Sequence, residues 1–443
     1  MAPPYRSVYR HDLAIESMKL PEALRALRHP NFRTFYAGQA ISMIGTWVQS
    51  IANTWLAYTL SGSTAITGLV GFNAQICMLL VAPFAGVLGD RFDRRRMLFI
   101  VQSLLIVLSI VLATTTALHI ITIPILIGLV LLIGLVNAVE TPTRQSFFVQ
   151  LIEQREDLPN AIALNSVLMN GTRLIGPALG GILIASSSVA VCYAVNAVLT
   201  VAVLVSLFRI RVSARPIRRA ESATTFAGEL FDGWRYAFGS KPIRILLAMI
   251  AVTSFTISPY VTLMPAVAVV TFKGGSELVG YFIGSVGFGA FIGALRLAAR
   301  KNVRGLAQWI GIAGLIAGFA TIGFSLSETV WLSMLCMAFV GFGLITAGAS
   351  INTILQSIID DHIRSRVMAL YTASFIGAAP LGHLFSGSVA VHIGAPRTFL
   401  MNGIACALAG LLFVWRMPHF RNALRPHYIK RGIIPPPPVE PDQ

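Results

Sequence analysis

Apolar residues run in twelve stretches, each long enough to cross a bilayer, with polar residues gathered in the connections between them. The first six lie near 33–60, 64–88, 97–117, 123–147, 161–185 and 188–208. The second six lie near 243–271, 277–299, 306–326, 330–357, 367–392 and 397–416. About 20 apolar residues coiled as a helix cover a hydrocarbon core of about 30 Å, and a helix satisfies its backbone hydrogen bonds within one segment. The pattern therefore predicts an all-α membrane protein of twelve transmembrane helices. Four of the runs also carry polar residues at spacings of three and four, which marks one face of a helix. They are Gln39, Ser42, Thr46, Gln49 and Asn53 in span 1, and Asn137, Glu140 and Arg144 in span 4. Span 7 has Thr253, Thr256 and Tyr260, and span 10 has Thr346, Ser350, Thr353 and Ser357. Five polar side chains on one face of span 1 would be costly in hydrocarbon, so that face is expected to meet water or protein. The Ser and Thr members have an alternative, because their hydroxyls can bond their own helix backbone or a neighbouring helix.

Composition agrees that the solvent is lipid: of 443 residues, 55% are hydrophobic and 12% charged, more apolar surface than one soluble core hides. A net charge of +16 raises nucleic acid as a partner, but the placement of the basic residues points elsewhere. With both termini in the cytosol, 31 of the 34 Lys and Arg fall in cytosolic segments; Lys273 and Arg397 fall outside and Arg173 within a span. The positive-inside rule then fixes the orientation, and no nucleic acid is expected. Residues 1–32 lack the apolar core of a cleavable signal, and the first apolar run is long enough to remain as a span. Cys77, Cys192, Cys336 and Cys406 sit in four different spans without metal-ligand spacing. They read as packing thiols, with no metal or cofactor implied.

The chain repeats itself. Ala163-Leu164, Gly171, Gly176 and Gly181 recur 206 positions on as Ala369-Leu370, Gly377, Gly382 and Gly387, and Pro30 and Arg33 are echoed by Pro242 and Arg244. The expected organisation is a cytoplasmic segment 1–32, a six-helix bundle 33–208, a linker 209–242, a second bundle 243–416 and a cytoplasmic tail 417–443. In the linker, Phe226, Leu230, Phe231, Trp234 and Phe238 form either one face of a helix lying on the inner leaflet or part of a solvated connector. Pro435 to Pro438 reads as an extended tail.

Charges inside spans carry the sharpest chemical signal, since even permissive scales put a central charge at about +2.5 to +3.5 kcal/mol. Glu140 is the acidic residue within a span. Counted from a turn near Arg155, it reaches a depth comparable to that of Arg173 on the next helix, which predicts a Glu140–Arg173 contact, with Arg144 as a further partner. Either protonation of Glu140 competes with this pairing and couples proton entry to transport, or the pair is a static packing device. His383 in span 11 is a second titratable group, and it reads first as a packed or pore-lining neutral histidine.

Between spans 2 and 3 lies Gly86-Val-Leu-Gly-Asp90-Arg91-Phe-Asp93-Arg94-Arg95-Arg96. Gly86, Asp90, Arg91, Arg95 and Arg96 fit the loop motif of the major facilitator superfamily, with Asp93 standing where the family has a second glycine. The chain resembles that superfamily. The likeness implies two six-helix halves about an axis along the membrane normal, with a substrate site between them at mid-membrane. It also implies that spans 1, 4, 7 and 10, the four that bear polar stripes, line the cavity. In the family this loop stabilises the outward-open state, so Gly86, Asp90, Arg91, Arg94 and Arg95 are the expected conformational lock. Its counterpart Gly293 to Arg304 keeps Arg296, Arg300, Lys301 and Arg304 but has no acid. The stretches Glu140-Thr-Pro-Thr-Arg-Gln145, Asp232-Gly-Trp-Arg-Tyr236 with Lys241-Pro-Ile-Arg244, and Arg364-Ser-Arg-Val-Met-Ala-Leu370 look like the enterobactin-exporter-like branch of drug and siderophore exporters. Gly176-Pro177-Ala-Leu-Gly180-Gly181 resembles the end of an antiporter motif.

The resemblance implies a monomeric, proton-coupled exporter of small amphipathic molecules in the bacterial inner membrane. An importer on the same fold and a non-transporting membrane sensor or assembly protein are the alternatives. No Gly-x-x-x-x-Gly-Lys-Ser/Thr, His-Glu-x-x-His or Gly-x-Ser-x-Gly sequence occurs, which disfavours an ATP-driven pump and the corresponding enzymes.

Overall fold

The structure is a computed structural model that describes residues 22–210, 234–300, 303, 305–360, 363–431 and 434, with the backbone alone at 23, 82–91, 365 and 430. A short 3₁₀ turn, Glu22–Arg28, leads into α1 (Pro30–Ser61), α2 (Thr64–Arg91), α3 (Arg94–Ala117), α4 (Ile123–Gln150), α5 (Leu158–Ser186) and α6 (Val189–Arg209). There follow α7 (Lys241–Ile257), α8 (Tyr260–Val270), α9 (Ser276–Ala298), α10 (Leu306–Leu326), α11 (Val330–Ile358), α12 (Arg364–Ile393), α13 (Ala395–Trp415) and α14 (Met417–Lys430). No strand occurs among the described residues. Eleven spans among them, with α7 and α8 counted as one, are long and apolar enough to cross a membrane. At 32 residues α1 has the length, but Gln39, Gln49 and Asn53 dilute its hydropathy.

The seventh apolar run, expected as one helix, is broken. Pro259 sits at the N-cap of α8; having no N–H and a ring that crowds the carbonyl four residues back, it ends the helix before it. That carbonyl belongs to Phe255 and lies against Gly382 of α12, where an added Cβ would collide with it. The close approach requires glycine.

Between the helix sets α1–α6 and α7–α13, taken in chain order, contacts run mainly along two seams, α2 with α12 and α5 with α9. The seams are built alike. Thr64 Oγ1 donates to the Gly387 carbonyl at 2.9 Å, and Ser276 Oγ donates to the Gly181 carbonyl at 3.1 Å. A Cβ on Gly387 would lie 2.8 Å from the Cα of Gly68, and one on Gly181 would lie 2.8 Å from the Cα of Gly280. The four glycines thus let two pairs of backbones touch at the same end of the molecule, the small-residue packing that lipid favours.

The segment 417–443, placed as the cytoplasmic tail, begins with α14. Met417, Phe420 and Leu424 are buried and Tyr428 half-buried, while Arg421 and Arg425 are exposed. This apolar stripe at spacings of three and four lies against the cluster containing Ile243, Leu306 and Ile359. In the linker, Trp234 and Phe238 stack at 4.3 Å; Phe226, Leu230 and Phe231, like Pro435 to Pro438, lie outside the described residues.

Candidate functional site

A cavity of about 270 Å³ lies between the two helix sets. Its wall takes Trp47, Ser50, Asn53 and Thr54 from α1, Gly71 and Gln75 from α2, and Arg173 from α5. Across from them stand Ser254 and Ser258 of α7, Tyr260 and Thr262 of α8, Leu344 of α11, and Phe375 and His383 of α12. Spans 1 and 7 line it as expected. Span 4 contributes nothing to this cavity and span 10 only Leu344, so spans 2, 5 and 11 supply the rest.

The local chemistry explains each departure. Gln49 turns away from the cavity: its Oε1 accepts from Ser109 Oγ at 2.8 Å and from Asn196 Nδ2, tying α1 to α3 and α6. Thr46, Thr256 and Thr353 donate to the carbonyls of Ser42, Val252 and Ala349, four residues back on their own helices. Thr346 and Ser350 line a separate void of about 10 Å³ beside Arg296, room for about one water; there the Arg296 guanidinium carbon sits 3.3 Å from the centre of the Trp309 ring. Gln39, Ser42 and Thr253 are buried and Asn137 is half-buried, and none of the four borders this cavity. Of the polar stripes, Asn53 and Tyr260 reach it.

The expected Glu140–Arg173 contact does not form. Glu140 is 6% exposed, and its Oε1 receives Arg144 Nε at 2.9 Å and Gln102 Nε2 at 3.2 Å. Thr141 Oγ1 donates to Oε2 at 3.3 Å. Equal depth on adjacent helices did not give equal facing: Glu140 turns to α3, and an i,i+4 neighbour on its own helix was the shorter reach. Arg173 instead lies on the cavity wall, its guanidinium carbon 5.5 Å from the centre of the Trp47 ring. Its Nε is buried with no hydrogen-bond partner among the described residues.

His383 is 2% exposed and bridges the helix sets. Gln75 Nε2 lies 3.2 Å from its Nε2, and Thr262 Oγ1 lies 2.6 Å from its Nδ1. An amide nitrogen only donates, so Nε2 accepts and the ring proton sits on Nδ1, pointing to Thr262. The arrangement suits a neutral imidazole.

In the lock loop, the side chains of Gly86, Asp90 and Arg91 lie outside the described residues. Asp93, the residue in place of the family glycine, caps α3 by accepting from the backbone N–H of Arg96 at 2.8 Å. Arg95 was expected as part of the lock. It donates to the carbonyls of Leu207 and Phe208 at 2.8 and 3.1 Å, a cation at the negative end of α6. The N-terminal turn is pinned nearby, where Asp157, 5% exposed, takes Arg25 and His29 Nε2 at 2.9 Å.

Trp47, Gln75, Ser254 and Thr262 were not singled out as site residues in the sequence. Trp47 directly follows the polar Thr46, on the next edge of the same helix, a position a three-and-four spacing rule passes over.

Known proteins match this chain over most of its length. The chain is 26% identical over 384 residues to the Staphyloferrin A transporter of Staphylococcus aureus, covering 86% of this chain and 94% of the relative. It is 24% identical over 402 residues to the enterobactin exporter EntS of Salmonella typhimurium, covering 89% and 94%. A bacterial homologue of the human lysosomal transporter Spinster, solved inward-facing and unoccupied, superposes with a TM-score of 0.65 at 14% identity, over 91% of this chain and 98% of that one. The model of the transmembrane secretion effector family matches residues 22–440, and the chain belongs to that family, a branch of the major facilitator transporters and not of enzymes.

Proposed function

We propose that the chain is a secondary active exporter that moves small amphipathic molecules out of a bacterial cell across the inner membrane, by alternating access and in exchange for protons. The observation that carries this reading is the cavity between two helix sets whose seams are clasped at one end by Thr64 to Gly387 and Ser276 to Gly181. In this reading the sets are the two six-helix bundles, 33–208 and 243–416, with 1–32, 209–242 and 417–443 in the cytosol. The clasps then stand on the outer side, and the cavity is loaded from within. The relatives' names support siderophore-like cargo and, for EntS, export.

Glu140 is the proposed proton site, with Arg144 as the cation it releases on protonation. Gly86, Asp90, Arg91, Arg94 and Arg95 form the proposed lock of the outward-open state, and the working unit is a monomer. Screening a deletion strain for hypersensitivity supplies a substrate, and vesicles with an imposed pH gradient then test the reading. Outward movement driven by inward proton flow supports it. Inward movement points to an importer, and the absence of movement in either direction under any gradient points to a sensor. In the same vesicles, full coupling in a folded Glu140→Gln variant removes the proton role.

A further inference from the structure

We infer that the central cavity takes an organic anion, an amphipathic molecule bearing a carboxylate or a comparable oxyanion, and that Arg173 binds it. The inference rests on the transporter reading above and deepens it by naming the charge class of the cargo.

The charge inventory of the cavity is one-sided. Among its described wall residues, Arg173 is the one permanently charged side chain, and no Asp or Glu lines it. His383, neutral or cationic by its chemistry, offers no counter-charge, and its ring nitrogens are engaged by Gln75 and Thr262. The Glu140 carboxylate is held by Arg144 and Gln102. Arg173 therefore stands in a low-dielectric wall without an anion, its Nε buried and unbonded. Arg173 as a whole is half-buried, and a cation partly withdrawn from water with no ion-pair partner gains from a counter-charge that arrives with the cargo.

The surroundings fit the same ligand. A guanidinium presents a planar fork that matches a carboxylate in bidentate fashion, and the Trp47 ring lies within cation–π reach of it, 5.5 Å from guanidinium carbon to ring centre. Asn53, 9% exposed, lines the same wall and adds an amide to the polar side of the cavity. Tyr260 and Phe375 supply aromatic surface. At about 270 Å³ the space suits a small molecule and not a two-chain lipid.

The test uses the full chain purified in a nonionic maltoside, with two probe pairs: coumarin-3-carboxylate and its neutral amide, and 4-phenylbutyrate and its amide. Binding is read by fluorescence anisotropy for the first pair and by thermal shift for both. The carboxylates are expected to bind more tightly than their amides, and Arg173→Gln is expected to remove this preference, a loss of about tenfold or about 1.4 kcal/mol. Arg173→Lys should retain part of it. Without ligand, Arg173→Gln should melt close to the parent, because it loses the Trp47 contact but no ion pair. Equal binding of acid and amide by the parent overturns the inference, as does a carboxylate preference that survives in Arg173→Gln. Vesicle flux reports the transport reading and detergent binding reports this one, so each fails separately.

Discussion

Replacing Gly181 by Ala should open the clasped end of the cavity. In the structure a Cβ at 181 would stand 2.8 Å from the Cα of Gly280, with the Ser276 carbonyl closer still. Backbone on both sides leaves no flexible side chain to yield, and overpacking of this kind costs about 1–3 kcal/mol. That strain exists only while the seam is shut. If the seam separates during transport, the penalty falls on one state and shifts its population about 5- to 150-fold. Gly387→Ala, whose Cβ would stand 2.8 Å from the Cα of Gly68, should act the same way on the other seam. Gly171→Ala is the control: it lies on the same helix as Gly181, and a Cβ there meets nothing within 4 Å. The assay introduces Ser50→Cys on the cavity wall in a background without Cys77, Cys192, Cys336 and Cys406. An impermeant maleimide is then applied from the side on which Thr64 lies. Labelling should rise at least fivefold with Gly181→Ala and with Gly387→Ala, and stay unchanged with Gly171→Ala. Equal labelling of all four proteins would refute the idea that these glycines hold the closed state.

Three further outcomes are expected. Asn196→Ala removes the amide that bonds Gln49 and Ser109, and should lower stability by about 1–2 kcal/mol, the range of interhelical hydrogen bonds in membranes, seen as a lower melting temperature in detergent. Asp93→Ala removes the cap of α3 and should cost about 1 kcal/mol. Asp93→Asn should recover most of that, and a Gly at 93, the family residue, should lose only a few tenths relative to Asp. Arg144→Met leaves Glu140 buried with Gln102 and Thr141 as its remaining partners. A loss of about 3–5 kcal/mol is expected for breaking a buried pair, relieved when Glu140→Gln is added; a double mutant no more stable than Arg144→Met would show that the pair is not the reason.

How much of this was legible depends on what each residue had to encode. Span positions follow from apolar run length alone, which is why Thr64, Ile123, Val189, Leu306 and Val330 all begin helices within a residue of where the runs begin. The break at Pro259 was also written locally, as a proline inside an apolar run, but an unbroken run of hydropathy hides a break that leaves apolarity unchanged. The stripe of α14, by contrast, carries a helical period beyond the last apolar run, where a search for spans stops looking. Facing is a different kind of information. A polar stripe says that a helix face avoids lipid, and it does so equally for Gln49, which serves α3 and α6, and for Asn53, which borders the cavity. Depth placed Glu140 and Arg173 level with each other, yet rotation about the helix axis separated them, and rotation is fixed by contacts with other helices. The repeat bridges part of that gap. Gly181 and Gly387 stand in register between the two halves, and they turn out to occupy equivalent places in the two seams. A repeated glycine therefore encoded a contact between helices that no single-helix pattern could express, while the unrepeated Arg173, with no counterpart charge at its matching position Ala379, marks where the two halves ceased to be equivalent and the cavity acquired its one fixed charge.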